Sequence, residues 1–187
     1  MNAYDFVHLA LFALGGEIKG KTKLQKTMYF LGVLTSSQKD LGYRPHFYGP
    51  YSAEVAGAID RLRSLGFVDQ SVAGIGAFDQ QGFEVARYDF RLNDQGKRIA
   101  KMKSERHPDL WKKIQTAVKC MEKAKDQDYM KLSIAAKTYY MLGEKSGPAS
   151  VSELTALATK FGWAVTKDQV SEAFQFLKSA GLIQVVE

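Results

Sequence analysis

Gly15-Gly16-Glu17-Ile18-Lys19-Gly20-Lys21-Thr22 spells GxxxxGK[ST], a spacing in which backbone amides surround a phosphate while the lysine and hydroxyl reach its terminal oxygens and metal. That chemistry needs a strand before the loop and a sheet around it. Here Ala3 to Leu14 sets Val7, Leu11 and Leu14 at helical spacing, and no apolar strand ending in Asp follows to hold magnesium. The expectation is a glycine-rich turn between two helices, with no nucleotide bound. His8, His46 and His107 stand singly, without paired ligands at helical spacing, so no metal site is expected. Cys120 is the single cysteine and lies on an apolar helical stripe, which predicts a buried packing residue rather than a nucleophile. No serine nucleophile elbow or acid pair is present, and the expectation is a non-enzymatic protein without a cofactor.

Phosphate contact is the chemistry the remaining pattern suits. Among 187 residues, 26 Lys and Arg oppose 20 Asp and Glu, a net charge of +6 that favours a polyanionic partner. Lys19, Lys21, Lys23 and Lys26 form the densest short basic stripe, joined by Arg61 and Arg63. Hydrophobic residues at 45% and charged residues at 25% exclude a disordered chain, and one cysteine excludes an internal disulfide. The opening MNAYDFVHLALFALGG lacks a basic leader, is too short to span a bilayer and carries Asp5 and His8, so no membrane association and a cytoplasmic location are expected.

The elements that must position these groups follow from periodicity. Ala3 to Leu14 and Thr22 to Leu34 read as helices, the second with Leu24, Met28, Leu31 and Phe30 inward and Lys21, Lys23 and Lys26 outward. Thr35 to Pro50 reads as a connector whose Tyr43, His46, Phe47 and Tyr48, with Tyr51 beyond it, are expected to pack on the core. Ser52 caps a third helix carrying Val55, Ile59, Leu62 and Leu65, which Gly66 ends. Phe67 to Val72 and Phe83 to Leu92 alternate as two antiparallel strands around a Gly-rich turn, Ala73 to Gly82. Asn93 caps a helix to Lys103 with Ile99 and Met102 as its apolar contacts.

Pro108 opens a further helix striped by Leu110, Trp111, Ile114, Ala117, Val118 and Met121, wide enough to serve its own core and a second copy in a homodimer. From Tyr129 the theme restarts: a helix to Leu142, a short one capped at Ser150 or Ser152, a third capped by Thr166, and a strand at Leu182 to Val186. RLRSLGFVDQ at 61 to 70 is echoed by QFLKSAGLIQVV at 175 to 186. The expected fold is therefore mainly α with small antiparallel β hairpins, as tandem winged helix-turn-helix modules. These span 1–106 and 129–187, the second with a truncated wing, joined by a connecting helix at 107–128.

The residues GEIKGKTKLQKTMYFLG followed by FYGPYSAEVAGAIDRLRSLGFV carry a resemblance. The chain resembles the YwgA-like and Panacea-type families of prokaryotic winged-helix proteins over about residues 3–105, with Lys23, Leu24, Gln25 and Lys26 matching a KLQK motif and Tyr48, Gly49, Pro50, Tyr51 and Ser52 matching a YGPYS motif. The resemblance implies a transcriptional regulator, an antitoxin-like module or a defence-associated accessory protein.

Together these readings predict a duplex-DNA-binding regulator. Lys21, Lys23 and Lys26 would meet phosphates, the helix from Ser52 to Leu65 would approach the groove with Glu54, Arg61 and Arg63, and Arg87 beside the wing would touch the neighbouring backbone. The alternative is a protein-interaction module, antitoxin-like or an adaptor, that uses the same helices and the aromatic loop without binding DNA.

Overall fold

In the computed structural model, which describes residues 2–74, 86–122, 129–145 and 148–183, eight α-helices surround one small sheet. Helix α1 (Ala3–Ala13) starts where the Asn2 side chain accepts from the Asp5 amide, and it leads through Gly15 and Gly16, both at positive φ, into strand β1 (Glu17–Lys19). Helix α2 (Lys21–Leu34) follows without a loop, because Gly20 at φ 91 turns the chain by itself. A short 3-10 turn (Gln38–Leu41) and an irregular segment lead to α3 (Ala53–Ser64), then β2 (Val68–Ala73), β3 (Arg87–Leu92) and α4 (Asp94–Arg106). The turn predicted between β2 and β3 lies mostly outside the described residues.

β1 is absent from the sequence expectation, which places a turn there. It pairs antiparallel with β3, so the sheet runs β1-β3-β2, with Ile18 opposite Phe90 and Val68 opposite Leu92 on the buried face. The solvent face sets Arg91 between Glu17 and Asp69, an alternation of charge across three strands that favours this register. A helix before the GxxxxGK[ST] segment and a strand inside it exclude the phosphate-cradling geometry.

Helices α5 (Pro108–Cys120), α6 (Tyr129–Glu144), α7 (Val151–Lys160) and α8 (Lys167–Ser179) complete the order. Ser150 with Glu153, and Thr166 with Gln169, form reciprocal capping boxes that start α7 and α8. α6 packs on both α2 and α8, and one hydrophobic core runs from Phe6, Leu31 and Leu62 through Ile114 and Val118 to Ala135, Phe176 and Leu177. Met141, Leu154, Ala158, Trp163 and Val170 form a smaller second cluster.

Several local expectations change. Of the α5 stripe, Ile114, Ala117, Val118 and Met121 are buried in the chain's own core, while Leu110 and Trp111 are partly buried against it. Cys120 is exposed, one step off that stripe. Met102 is exposed, and α4 instead buries Gly96, Ala100 and Ser104. Leu182 and Ile183 are not in a strand, and the rest of the predicted C-terminal strand lies outside the described residues. Among the described residues no helix is long and apolar enough to cross a membrane, and no group of three or more His, Cys, Asp or Glu could hold a metal ion.

Candidate functional site

The two sequence motifs meet. Gln25 and Lys26 lie on the buried face of α2, directly against residues 50–52 of the YGPYS segment. The Gln25 amide bonds Ser52 twice: its Nε2 donates to the Ser52 carbonyl and its Oε1 accepts from the Ser52 amide, both at 2.9 Å. Lys26 Nζ donates to the Pro50 carbonyl at 2.7 Å. Pro50 brings no N–H of its own to satisfy, which suits a buried turn. Ser52 then caps α3, accepting from the Val55 amide at 2.9 Å while its hydroxyl donates to the Leu41 carbonyl.

The C-terminal half holds the same segment from its other side. Ser133 Oγ on α6 donates to the Tyr48 carbonyl at 2.6 Å, and Trp163 Nε1, between α7 and α8, donates to the His46 carbonyl at 2.7 Å. The carbonyls of residues 46, 48, 50 and 52 are thus all taken by side chains from three separate elements. A reciprocal pair of backbone bonds, 2.9 Å each, closes Arg44 on Tyr51. Gly49 is required here: its φ is +93, and an added Cβ would press on Lys137 and the Ser133 carbonyl.

A loop tied this way has little conformational freedom left, and what it displays is aromatic. Phe47 is 68% exposed and Tyr48 55%, with ring centroids 5.0 Å apart and edge-on, while His46 stands 5.2 Å from the Tyr51 ring. The expectation that these aromatics pack on the core is corrected for His46, Phe47, Tyr48 and Tyr51. It holds only for Tyr43, whose ring lies 5.0 Å from Tyr29 and whose hydroxyl donates to the Gln25 carbonyl at 2.9 Å.

Periodicity puts Lys26 on the solvated face of α2, whereas the structure leaves it 2% exposed. Burial, with the Lys137 ammonium adding to it, pulls its pKa down to about 7. A lysine so enclosed meets no phosphate; it is a strut between α2 and the loop. Ser52 is fully buried as the α3 cap and is likewise unavailable to a groove.

The other six residues remain at or near the surface. Lys21 lies over the Tyr88 ring at 4.2 Å, and Arg87 flanks Gly20, so these two stand side by side at the sheet. Arg87 is bound to Asp89 at 2.9 Å. Lys23 is half-buried on α2. On α3, Glu54 and Arg61 are exposed, Arg63 is 3.1 Å from Asp60, and the Arg61 guanidinium sits 5.0 Å from the Tyr4 ring of α1. Two acids and two bases cancel along α3.

Sequence reasoning missed Ser133, Lys137 and Trp163, because no local pattern ties them to a loop 85 or more residues earlier. It also missed a signal within reach. Residues 94–120, which form α4 and α5, hold eight basic and three acidic side chains, so most of the net charge sits there rather than on α2.

No family model matches this chain. A curated relative, the uncharacterised protein YwgA of Bacillus subtilis, is 34% identical to it over 77 residues, which is 41% of this chain and 46% of the relative. The chain therefore spans less than half the length of the relative it matches.

Proposed function

We propose that this protein works by binding another protein, with the loop of residues 44–51 as its contact surface and without a catalytic step. One observation carries the reading: exposed Phe47 and Tyr48 stand on a segment whose alternate carbonyls are all bound by side chains from α2, α6 and the α7–α8 turn. Aromatic anchors dominate binding energy at protein interfaces, and a loop ordered in advance loses little entropy on association. The fully buried Lys26 and Ser52 and the cancelled charge of α3 weaken direct groove reading. Within this proposal residues 3–106 are of winged-helix type. The support is the order α1-β1-α2-α3-β2-β3 with the sheet arranged β1-β3-β2. Of the roles the YwgA-like resemblance implies, a transcriptional regulator, an antitoxin-like module or a defence-associated accessory protein, the last two fit that reading.

The test compares partners retained from the native host by the wild-type chain and by a Phe47→Ser, Tyr48→Ser variant. A partner held with micromolar affinity by the first and released by the second, at unchanged thermal stability, is the expected result. Equal retention by both would overturn the proposal.

Duplex-DNA binding is the second reading, and the basic excess on α4 and α5 favours it. It predicts that random duplex DNA binds at low salt, and that Arg98→Ala, Lys101→Ala, Lys112→Ala and Lys113→Ala together lower the salt slope by roughly 0.9 for each phosphate no longer neutralised. No shift at low salt removes it.

A further inference from the structure

Beside Tyr29 of α2, the C-terminal turn of α6 borders a solvent-open cavity of about 420 Å³ lined by Tyr29, Tyr139, Tyr140, Gln38 and Glu144. Its chemistry is one-sided. Three tyrosines and one carboxylate line it, the Tyr139 ring packed against Tyr29 and the Tyr140 ring against Phe161 and Trp163, and among the described residues the lining includes no basic side chain. α6 carries no basic side chain in its last turn, so the negative end of its dipole, with Leu142 and Gly143 in the cavity wall, is unneutralised there. Lys145, the next residue, is turned to Glu153 at 2.6 Å.

We propose that this cavity binds a small organic cation, an ammonium or quaternary ammonium ligand, with its charge beside Glu144 and its carbon groups against the rings of Tyr139 and Tyr140. Aromatic rings attract cations through the negative potential of their faces, and a carboxylate at the rim adds direct attraction. The phenols remain neutral and able to donate or accept: burial raises all three, and Glu144 adds to the effect on Tyr29 and Tyr140. The volume lies in the range of small-molecule sites. Because Tyr29 belongs to the first half of the chain and Tyr139, Tyr140 and Glu144 to the second, an occupant would bridge α2 and α6. This site is separate from the aromatic loop, and neither proposal depends on the other.

Choline, its neutral carbon analogue 3,3-dimethylbutan-1-ol, and N-acetyl-arginine amide are titrated into the full chain while backbone amide shifts are followed by NMR. Choline is expected to saturate with a Kd on the order of 1 mM, about −4 kcal/mol, moving the amides of residues 139–145 and Tyr29. The neutral analogue is expected to bind at least about tenfold more weakly. Glu144→Gln, at an exposed position, is expected to weaken choline about fivefold with no change in melting temperature, and Tyr140→Leu to weaken it further. Equal binding of choline and its neutral analogue, no saturation by choline, or an unchanged affinity in Glu144→Gln would each overturn the proposal. Saturation by the arginine amide alone would also overturn it, since the occupant would then be a partner's side chain.

Discussion

Gln25 treats Ser52 as a neighbouring strand would, giving one hydrogen bond and taking one across 27 residues of sequence, both at 2.9 Å. The pair joins the middle of α2 to the start of α3 in the interior, where neither Ser52 group has water to fall back on. Gln25→Glu keeps the shape but removes the donor and adds a buried charge facing a carbonyl. It should lower unfolding free energy by about 3 kcal/mol or more, read from urea titration, whereas Gln25→Met should cost less. Equal stability of the Glu variant and the wild type would show that the pair does not form.

Lys26 gives the fold an alkaline signature. Its pKa is about 7 in the folded chain against an ordinary 10.5, so the unfolded chain holds a proton that the folded one gives up. Stability from this group therefore rises with pH between about 7 and 10.5. Unfolding measured at pH 7 and pH 9 should show a wild-type gain of up to roughly 1 kcal/mol per pH unit that Lys26→Met lacks. A Met variant with the same rise would mean that Lys26 stays charged in the fold.

His8 acts at the acid end. It is fully buried, stacks 5.8 Å from Phe67 and shares a 2.9 Å hydrogen bond with the Gly96 carbonyl, which makes Nε2 the protonated nitrogen. Its other nitrogen, Nδ1, has no partner among the described residues, and burial lowers the pKa from 6.5 to about 4. The unfolded chain takes the proton first, so the contribution is complete above pH 6.5 and disappears as pH falls toward 4. His8→Phe should be less stable than wild type at pH 7, because the Gly96 carbonyl loses its donor, yet should decline less steeply down to about pH 4.5. Parallel denaturation curves for the two would contradict this.

Two helical glycines should respond oppositely to alanine. A Cβ on Gly96, at the start of α4, would collide with the Phe67 carbonyl, so Gly96→Ala should destabilise by several kcal/mol, about 3 or more. Gly57 is exposed within α3 with open space around its Cβ position, and Gly57→Ala should stabilise by about 0.5–1 kcal/mol. Melting temperatures of the two variants check both signs.

Local chemistry in the sequence is sufficient for most of the helices. Apolar residues at three- and four-residue spacing mark α1, α3, α5 and α8, and Ser52, Asn93 and Thr166 each cap the helix expected of them. These are short-range matters, settled by side chains within one or two turns. β1 is not legible, because three residues between glycines have no period of their own and become a strand only by pairing with β3, some 70 residues on. The same limit hides the site. A lysine reads as solvent-facing until the carbonyl that receives it is known, and Pro50 reaches Lys26 only once α2 and α3 have packed. Phe47 and Tyr48 read as core residues because aromatics gain most from burial. Tertiary structure decides otherwise: the carbonyls of residues 46, 48, 50 and 52 are bound by Trp163, Ser133, Lys26 and Gln25, and on the segment held this way those two rings stand exposed to water.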